Sequence, residues 1–401
     1  MDGMPGPLPT GDPVPATGPV AAQRPSGRFG VYAHVPFCAS RCGYCDFNTY
    51  TPDEGVIREG YVDAVLAELG RAADLVTPAQ VDTVFVGGGT PTLLPPRDLG
   101  RILDGIDKVW GLSGDAEITT EANPESVTPA SLRDLRAAGF TRISLGMQSA
   151  AAHVLKVLDR RHTAGRAAAA AGEARAAGFG HVNLDLIYGT PGERPEDFAA
   201  SLDAVVAAGV DHVSAYALIV EDGTRLAARI RRGDLPFPDD DVAADRYLAA
   251  EAALTAAGFH WYEVSNWATG DDARCRHNLL YWRGADWWGL GPGAHSHVGG
   301  TRWWNVKHPA AYTAALARGE WPAAGREVLD PEETATEEIM LRLRLAEGLP
   351  LERLTPAGVG AARTLVTDGL LNGDAFAAGT AVLTLHGRLL ADAAVRTILL
   401  A

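Results

Sequence analysis

His34-Val35-Pro36-Phe37-Cys38-Ala39-Ser40-Arg41-Cys42-Gly43-Tyr44-Cys45 holds three of the chain's four cysteines within eight residues; the fourth, Cys275, lies far along the sequence. Three thiolates at C-x3-C-x2-C spacing on one tight loop can take three corners of an iron–sulfur cube, and a [4Fe–4S] cube ordinarily takes four. One iron is then left open, as a catalytic metal site keeps a position free for its substrate. Zinc knuckles favour paired C-x2-C units with a fourth ligand close by, and His34 sits on the wrong side of a proline to supply one. Four cysteines in 401 residues, three of them crowded together, make a poor disulfide framework.

Outward from this loop, short β-rich runs alternate with helical stretches. Strands are expected over 31–35, 83–86, 117–121, 142–145, 181–187 and 212–218. Helices are expected between them over 58–74, 129–138, 164–177 and 195–208. Repeated β/α units with right-handed crossovers build a parallel sheet with helices outside. Six units are too few for a closed eight-stranded barrel, so the expected fold is an α/β open (β/α)6 partial TIM barrel with a smaller C-terminal domain. Its site would lie at the C-terminal strand ends.

The polar and glycine-rich signatures all fall at that one mouth. The cysteines follow the first strand, Gly87-Gly88-Gly89-Thr90-Pro91-Thr92 the second, and Glu121-Ala122-Asn123-Pro124 ends the third. Gln148 follows the fourth strand, while Asp185 and Tyr188-Gly189-Thr190-Pro191 end the fifth. Glycines let backbone groups approach a ligand closely. Glu121 and Asp185 are either loop caps or partners for ribose hydroxyls and a cationic amine. Arg160 and Gln148 suit a ligand carboxylate and its polar edges.

Composition narrows the function. The 35 basic and 50 acidic residues give a net charge of −15. No segment is dense enough in Lys or Arg to neutralise phosphates, so no nucleic-acid partner is expected. No apolar run reaches bilayer length. The Pro/Gly-rich residues 1–28 have no Lys or Arg before Arg24 and read as a disordered tail rather than a signal peptide. Reduced thiolates without an export signal point to a cytoplasmic protein.

Tyr32-Ala33-His34-Val35-Pro36-Phe37-Cys38, the cysteine motif, Gly87–Thr92, Gly146-Met147-Gln148-Ser149 and Asp185-Leu186-Ile187-Tyr188-Gly189 together resemble radical S-adenosylmethionine (SAM) proteins. More narrowly they resemble the oxygen-independent coproporphyrinogen III oxidase group, from about residue 30 to the C-terminus. The resemblance implies a [4Fe–4S] cluster on Cys38, Cys42 and Cys45, with SAM on the free iron. It implies a SAM pocket lined by Tyr32, Tyr44, Gly88, Gly89, Thr90, Glu121, Gln148, Arg160 and Asp185. Reductive cleavage of SAM to a 5′-deoxyadenosyl radical, fed by a reductant such as flavodoxin or ferredoxin, would follow; the cofactors supply that chemistry.

Two branches of this group share these motifs. The oxidases carry one more cysteine two residues after the third, where this chain has Phe47, and an N-terminal segment that closes the site, where this chain has only its Pro-rich tail. His277-Asn278-Leu279-Leu280-Tyr281-Trp282 instead resembles the H-N-x-x-Y-W haem-binding stretch of the HemW-type haem chaperones. That likeness implies haem on His277, Asn278 and Tyr281, apo-haemoprotein clients, some of them membrane-associated, and a homodimer. A neutral imidazole flanked by aromatics suits haem iron. The competing reading of His277 is a hydrogen-bonded structural residue in an aromatic-rich sheet. Cys275 is read as a small apolar residue rather than a second soft ligand. A coproporphyrinogen III dehydrogenase and a related radical SAM methylase remain the enzyme alternatives. The expected layout is a barrel core over 29–220, a core extension over 221–325 whose aromatic- and glycine-rich stretch 277–304 reads as irregular sheet and loop, and a helical, winged-helix-like domain over 326–401.

Overall fold

The computed structural model describes residues 8–25, 27–55, 58–160, 163 and 165–401. Six parallel strands run in sequence order: β1 (Phe29–Val35), β2 (Val81–Gly88), β3 (Leu112–Ala122), β4 (Arg142–Gln148), β5 (His181–Tyr188) and β6 (His212–Ala217). Their crossovers contain α1 (Tyr61–Ala72), α2 (Pro96–Trp110), α3 (Pro129–Ala137), α4 (Ala152–Val157), α5 (Arg166–Ala176) and α6 (Pro195–Ala207). Each expected strand and helix is present, shifted by a few residues at its ends; Ala164, in the expected 164–177 helix, lies outside the described residues. β4 is buried along its whole length, as a strand packed on both faces must be. Thr128 caps α3 by accepting from the Ser131 N–H, and Pro129 sits where its missing N–H costs nothing. The architecture is the expected α/β partial barrel.

The sheet extends beyond six strands on both sides. After α7 (Arg225–Arg231) and α8 (Asp240–Ala256) come β7 (His260–Glu263) and β8 (Asn266–Ala268); β8 pairs antiparallel with β6, and β7 antiparallel with β8 at the sheet's edge. After α9 (Arg276–Trp282), β9 (Asp286–Leu290) pairs parallel with β1 on the side away from β2. From β9 the sheet continues through β10 (His295–Val298), β11 (Thr301–Asn305) and, past α10 (Pro309–Ala317), β12 (Ala323–Val328). One apolar core runs from Phe29 to Trp303 and Tyr312, so 221–325 packs continuously with the barrel.

Three expectations change here. The stretch 277–304 is not irregular: its first turn is α9, and its tryptophans and histidines form regular strands that suit aromatic side chains. The expected boundary at residue 325 cuts β12, which belongs to the main sheet. The change of core falls after Val328, where α11 (Pro331–Arg342), β13 (Leu349–Pro350), α12 (Pro356–Thr367), α13 (Gly373–Ala377), β14 (Thr380–Ala381), α14 (Leu385–Leu389) and α15 (Ala391–Leu399) follow. Leu343, Leu349, Leu365, Leu383 and Val395 centre this second core. Finally, residues 8–25 are laid against the body rather than loose. Asp12 exchanges both backbone hydrogen bonds with Arg326 of β12, at 2.8 and 3.0 Å, and Gln23 pairs with Leu75 and Thr77. Val20 is buried. Backbone partners on the sheet edge supply the order that the tail's own composition lacks.

Candidate functional site

The cysteine loop leaves β1 and is pinched shut at its base, where the Cys38 N–H donates to the Tyr50 carbonyl (2.9 Å) and the Tyr50 N–H to the Pro36 carbonyl (2.7 Å). Its middle is pinned from the other side: the Gly43 N–H donates to the Leu158 carbonyl and the Gly43 carbonyl accepts from the Leu226 N–H. Cys38, Cys42 and Cys45 all line one cavity of about 140 Å³. Burial pushes the Cys45 thiol up to about 12 and raises that of Cys38, against hydrogen bonds from Thr90 and Thr49 to the latter. Iron must therefore displace protons as it binds. Among the described residues no group of three His, Cys, Asp or Glu converges on a single ion. Three thiols around a cavity without a common point suit a cube, whose corners stand further apart than the ligands of one ion.

The glycine loop after β2 packs on the cysteine loop itself. A Cβ on Gly89 would lie 2.5 Å from the Phe37 carbonyl oxygen and 3.0 Å from the Cys38 sulfur. Gly88 has φ +114°, and a Cβ there would meet the His34 ring at 2.7 Å. Its N–H donates to Glu121 Oε2 at 2.9 Å. The glycines thus let two loops and a strand-end carboxylate close on one another.

Opposite stand Gln148, Arg160 and Asp185. A bulge between Gly146 and Gln148 interrupts the β4–β5 ladder, and Gln148 takes a left-handed φ of 65°. Bulges at strand ends re-aim side chains, and such strained residues cluster at functional sites. Arg160 donates to the Gly146 carbonyl (2.8 Å) and to the Cys42 sulfur (3.3 Å), while its buried Nε has no hydrogen-bond partner among the described residues. Ser144 and Asn183 donate to Asp185 at 2.9 and 2.6 Å. Burial raises Glu121 to about 7, partly offset by the Gly88 N–H and reinforced by the Asp185 charge. Burial also raises Asp185, against its hydrogen bonds and the Arg160 charge. Two crowded, desolvated carboxyls with an unsatisfied guanidinium nitrogen suit a ligand bearing both a cation and a carboxylate.

Seven of the nine expected SAM residues line this cavity: Tyr44, Gly88, Gly89, Glu121, Gln148, Arg160 and Asp185. The Thr90 side chain hydrogen-bonds Cys38 instead. Tyr32 faces two neighbouring cavities, its hydroxyl donating to His34 Nδ1 at 2.9 Å. Phe47, Thr49, Asn123, Ser144 and Gly146 also line the cavity. Ser144 and Gly146, four and two residues before Gln148, were legible from strand alternation.

His277, Asn278 and Tyr281 come together on α9 around a second cavity of about 160 Å³ inside the barrel. His277 is buried and stacks on Phe85. Its Nδ1 bonds Thr83 Oγ1 at 2.8 Å, its Nε2 the Tyr281 hydroxyl at 2.7 Å, and burial lowers its pKa to about 4. Asn278 donates to Glu263 at 3.0 Å. The histidine belongs to a helix rather than a sheet, and both of its nitrogens are engaged. Beneath it, buried Glu117 accepts from the His277 N–H (3.0 Å) and from Arg142 Nε (3.1 Å). Cys275 is buried beside Glu117. A third cavity of about 690 Å³ opens between β10–β11 and α11 and shares Glu121, Gly88 and Phe47 with the first.

Residues 32–205 match the family model of the radical SAM superfamily. The chain is 56% identical over 388 residues to a Mycobacterium tuberculosis protein named heme chaperone HemW, covering 96% of this chain and 98% of that one. Proteins of the same name from Bacillus subtilis and Escherichia coli are 33% and 35% identical, each over 80% of this chain and 85% and 83% of theirs. Among solved structures, coproporphyrinogen III oxidase (HemN) from Escherichia coli superposes with a TM-score of 0.77 at 24% identity, covering 96% of this chain and 91% of that one, which establishes a shared fold. With the cysteine loop, the strand-end cavity and near-full-length identity all in agreement, the chain belongs to the HemW family of the radical SAM superfamily.

Proposed function

We propose that this chain is a haem chaperone: it binds haem and delivers it to apo-haemoproteins, and it retains a [4Fe–4S] cluster and a SAM site. The near-full-length identity to a protein named heme chaperone HemW carries this reading. Cys38, Cys42 and Cys45 hold the cluster, and Glu121, Asp185, Arg160 and Gln148 bind and orient SAM. When bound, these groups supply one-electron chemistry. The chain's own contribution is a pocket in which buried charged groups are held in fixed places. The chaperone works in the cytoplasm, draws electrons from a flavodoxin- or ferredoxin-like reductant, and acts as a homodimer whose clients include membrane-associated haemoproteins. Among the described residues no helix is long and apolar enough to cross a membrane.

Phe47 supports delivery over porphyrin synthesis, because it stands where the oxidases are expected to carry a further cysteine. The deciding experiment loads the purified chain with haemin and mixes it with an apo-haemoprotein such as apomyoglobin. A Soret band that moves from donor to acceptor is expected. Incubation with coproporphyrinogen III, SAM and a reductant should yield no protoporphyrinogen; formation of that product would replace the chaperone reading with a dehydrogenase.

A further inference from the structure

Gly291-Pro292-Gly293 turns the chain from β9 into β10 and packs against the far end of the cysteine loop. Gly291 and Gly293 take left-handed φ values of 99° and 75°. A Cβ on Gly291 would lie 2.7 Å from the His34 carbonyl oxygen, and one on Gly293 would lie 2.4 Å from Asn48 Nδ2. The turn is fixed from behind. The Gly291 N–H donates to buried Glu68 at 2.9 Å, Asn305 Nδ2 donates to the Gly291 carbonyl at 2.9 Å, and the Gly293 N–H donates to the Val306 carbonyl at 2.9 Å. The glycines leave room against this rigid turn for one side chain, and Asn48 fills it.

Asn48 stands three residues after Cys45 and is buried, whereas Asp46 and Phe47 between them are exposed. Its side-chain amide is fully engaged. Nδ2 donates to the Pro292 carbonyl at 2.9 Å and to the Lys307 carbonyl at 3.0 Å, and Oδ1 accepts from the Tyr50 hydroxyl at 3.3 Å. Two carbonyls facing one nitrogen require an NH2 group there. The Asn48 backbone carbonyl accepts from Nε2–H of His34 at 2.8 Å, and Nδ1 of that ring accepts from the Tyr32 hydroxyl at 2.9 Å. Asn48 is thus a fixed point just downstream of the third cysteine. Between the two runs Phe47, whose N–H donates to the Cys45 sulfur. With both intervening side chains exposed, this short bridge takes its position from Cys45 at one end and Asn48 at the other.

Hydrogen bonds to the sulfurs help set the potential of an iron–sulfur cluster, because they stabilise the more negative, reduced state. We propose that Asn48 is a positioning residue for the cluster: its amide, clamped by the Pro292 and Lys307 carbonyls, keeps the Phe47 N–H on the Cys45 sulfur, raising the reduction potential and slowing the loss of iron. This role rests on the reading of Cys38, Cys42 and Cys45 as cluster ligands and deepens it. The β9–β10 turn, far along the sequence, then serves the cluster as the other half of the clamp.

The full chain is reconstituted anaerobically as wild type, Asn48→Ala, Gly293→Ala and the double variant, with circular dichroism as a check on folding. Iron content, the cluster potential from a redox titration followed by electron paramagnetic resonance, and the rate of iron loss to a chelator are measured. Gly293→Ala drives the amide off its carbonyls while every residue from Cys38 to Tyr50 stays as it is. Each single variant should take up about four irons. Each should disfavour reduction about tenfold, which is about 59 mV more negative for a one-electron couple, and lose iron at least fivefold faster. Because Gly293 acts through Asn48, the double variant should match the potential of Asn48→Ala. A wild-type potential in both single variants, or shifts that add in the double variant, overturns the role of Asn48 and leaves the cluster reading standing. Folded single variants that retain no iron are the extreme of the same loss and uphold the clamp. Should Asn48→Ala fail to fold, the potential of Gly293→Ala decides alone. A wild-type chain that takes up no iron overturns the cluster reading and the clamp together.

Discussion

Arg142→Met should be the most damaging single change to the barrel floor. Arg142 and Glu117 form an ion pair with Nε–Oε2 at 3.1 Å and almost no solvent contact, and Glu117 also accepts from the His277 N–H. Burial pushes the Glu117 carboxyl up, but the Arg142 charge and the N–H groups of His277 and Arg276 outweigh it and hold the carboxyl below its usual range. Removing one partner of a buried pair costs about 3–5 kcal/mol, a large part of the roughly 5–15 kcal/mol that holds a domain folded. With a urea dependence of about 3 kcal/mol per molar, the unfolding midpoint should fall by about 1 M or more. The fluorescence of buried Trp267, Trp288 and Trp303 reports the transition. The pH dependence should also reverse. In the wild type the depressed Glu117 contributes stability above its unfolded pKa, and that stability is lost as pH falls through the folded value. In Arg142→Met burial is opposed only by the His277 and Arg276 N–H groups, the carboxyl rises, and acidification should relieve part of the damage. Glu117→Gln combined with Arg142→Met removes both charges and should recover most of the loss. A single variant within about 0.5 kcal/mol of wild type, or a double variant no better than the single, would refute the reasoning.

Cys42→Ala, reconstituted anaerobically, should fall from about four irons per chain to background, measured by iron analysis and absorption; a retained four-iron signal sinks the ligand assignment. Gly88→Ala forces a side chain onto the His34 ring at φ +114°. It should cost about 1–3 kcal/mol and weaken SAM binding at least tenfold by equilibrium dialysis. Because burial holds the Glu121 carboxyl at about 7, SAM affinity should rise with pH through that value as the carboxylate forms. Glu121→Gln should flatten that profile, and a pH profile identical to wild type would remove Glu121 from the site.

The cysteine loop and the strand-end motifs were legible because their meaning is local: spacing and residue type state the chemistry before any folding. The six parallel strands were legible from short β-rich runs, several of them alternating apolar with polar residues as in Val182, Leu184 and Leu186 of β5, set between helical stretches. What escaped reading depends on distant partners. Nothing near Asp12 announces Arg326, more than three hundred residues away, so the segment looked loose. Aromatic and glycine-rich composition serves α9 and β9–β11 equally well, and only the placement of β9 beside β1 decides which is which. Tyr32 lies two residues before His34 on β1 and lines the two neighbouring cavities rather than the cysteine-lined one. The histidine motif was visible; that both its nitrogens would be spent on Thr83 and Tyr281 was not.

Both margins of the twelve-stranded sheet are occupied. Asp12 takes the middle of β12, while at the other margin the Ala346 N–H donates to the Tyr262 carbonyl of β7 at 2.9 Å and Leu345 bridges Glu263. Unpaired strand margins are where chains recruit one another by extending a ladder. Here Asp12 at one end and Leu345 and Ala346 at the other already hold part of that backbone. A strand from another chain would have to displace them before extending the ladder there, which favours partners chosen by side chains on the faces and at the mouth over main-chain pairing, which accepts almost any strand.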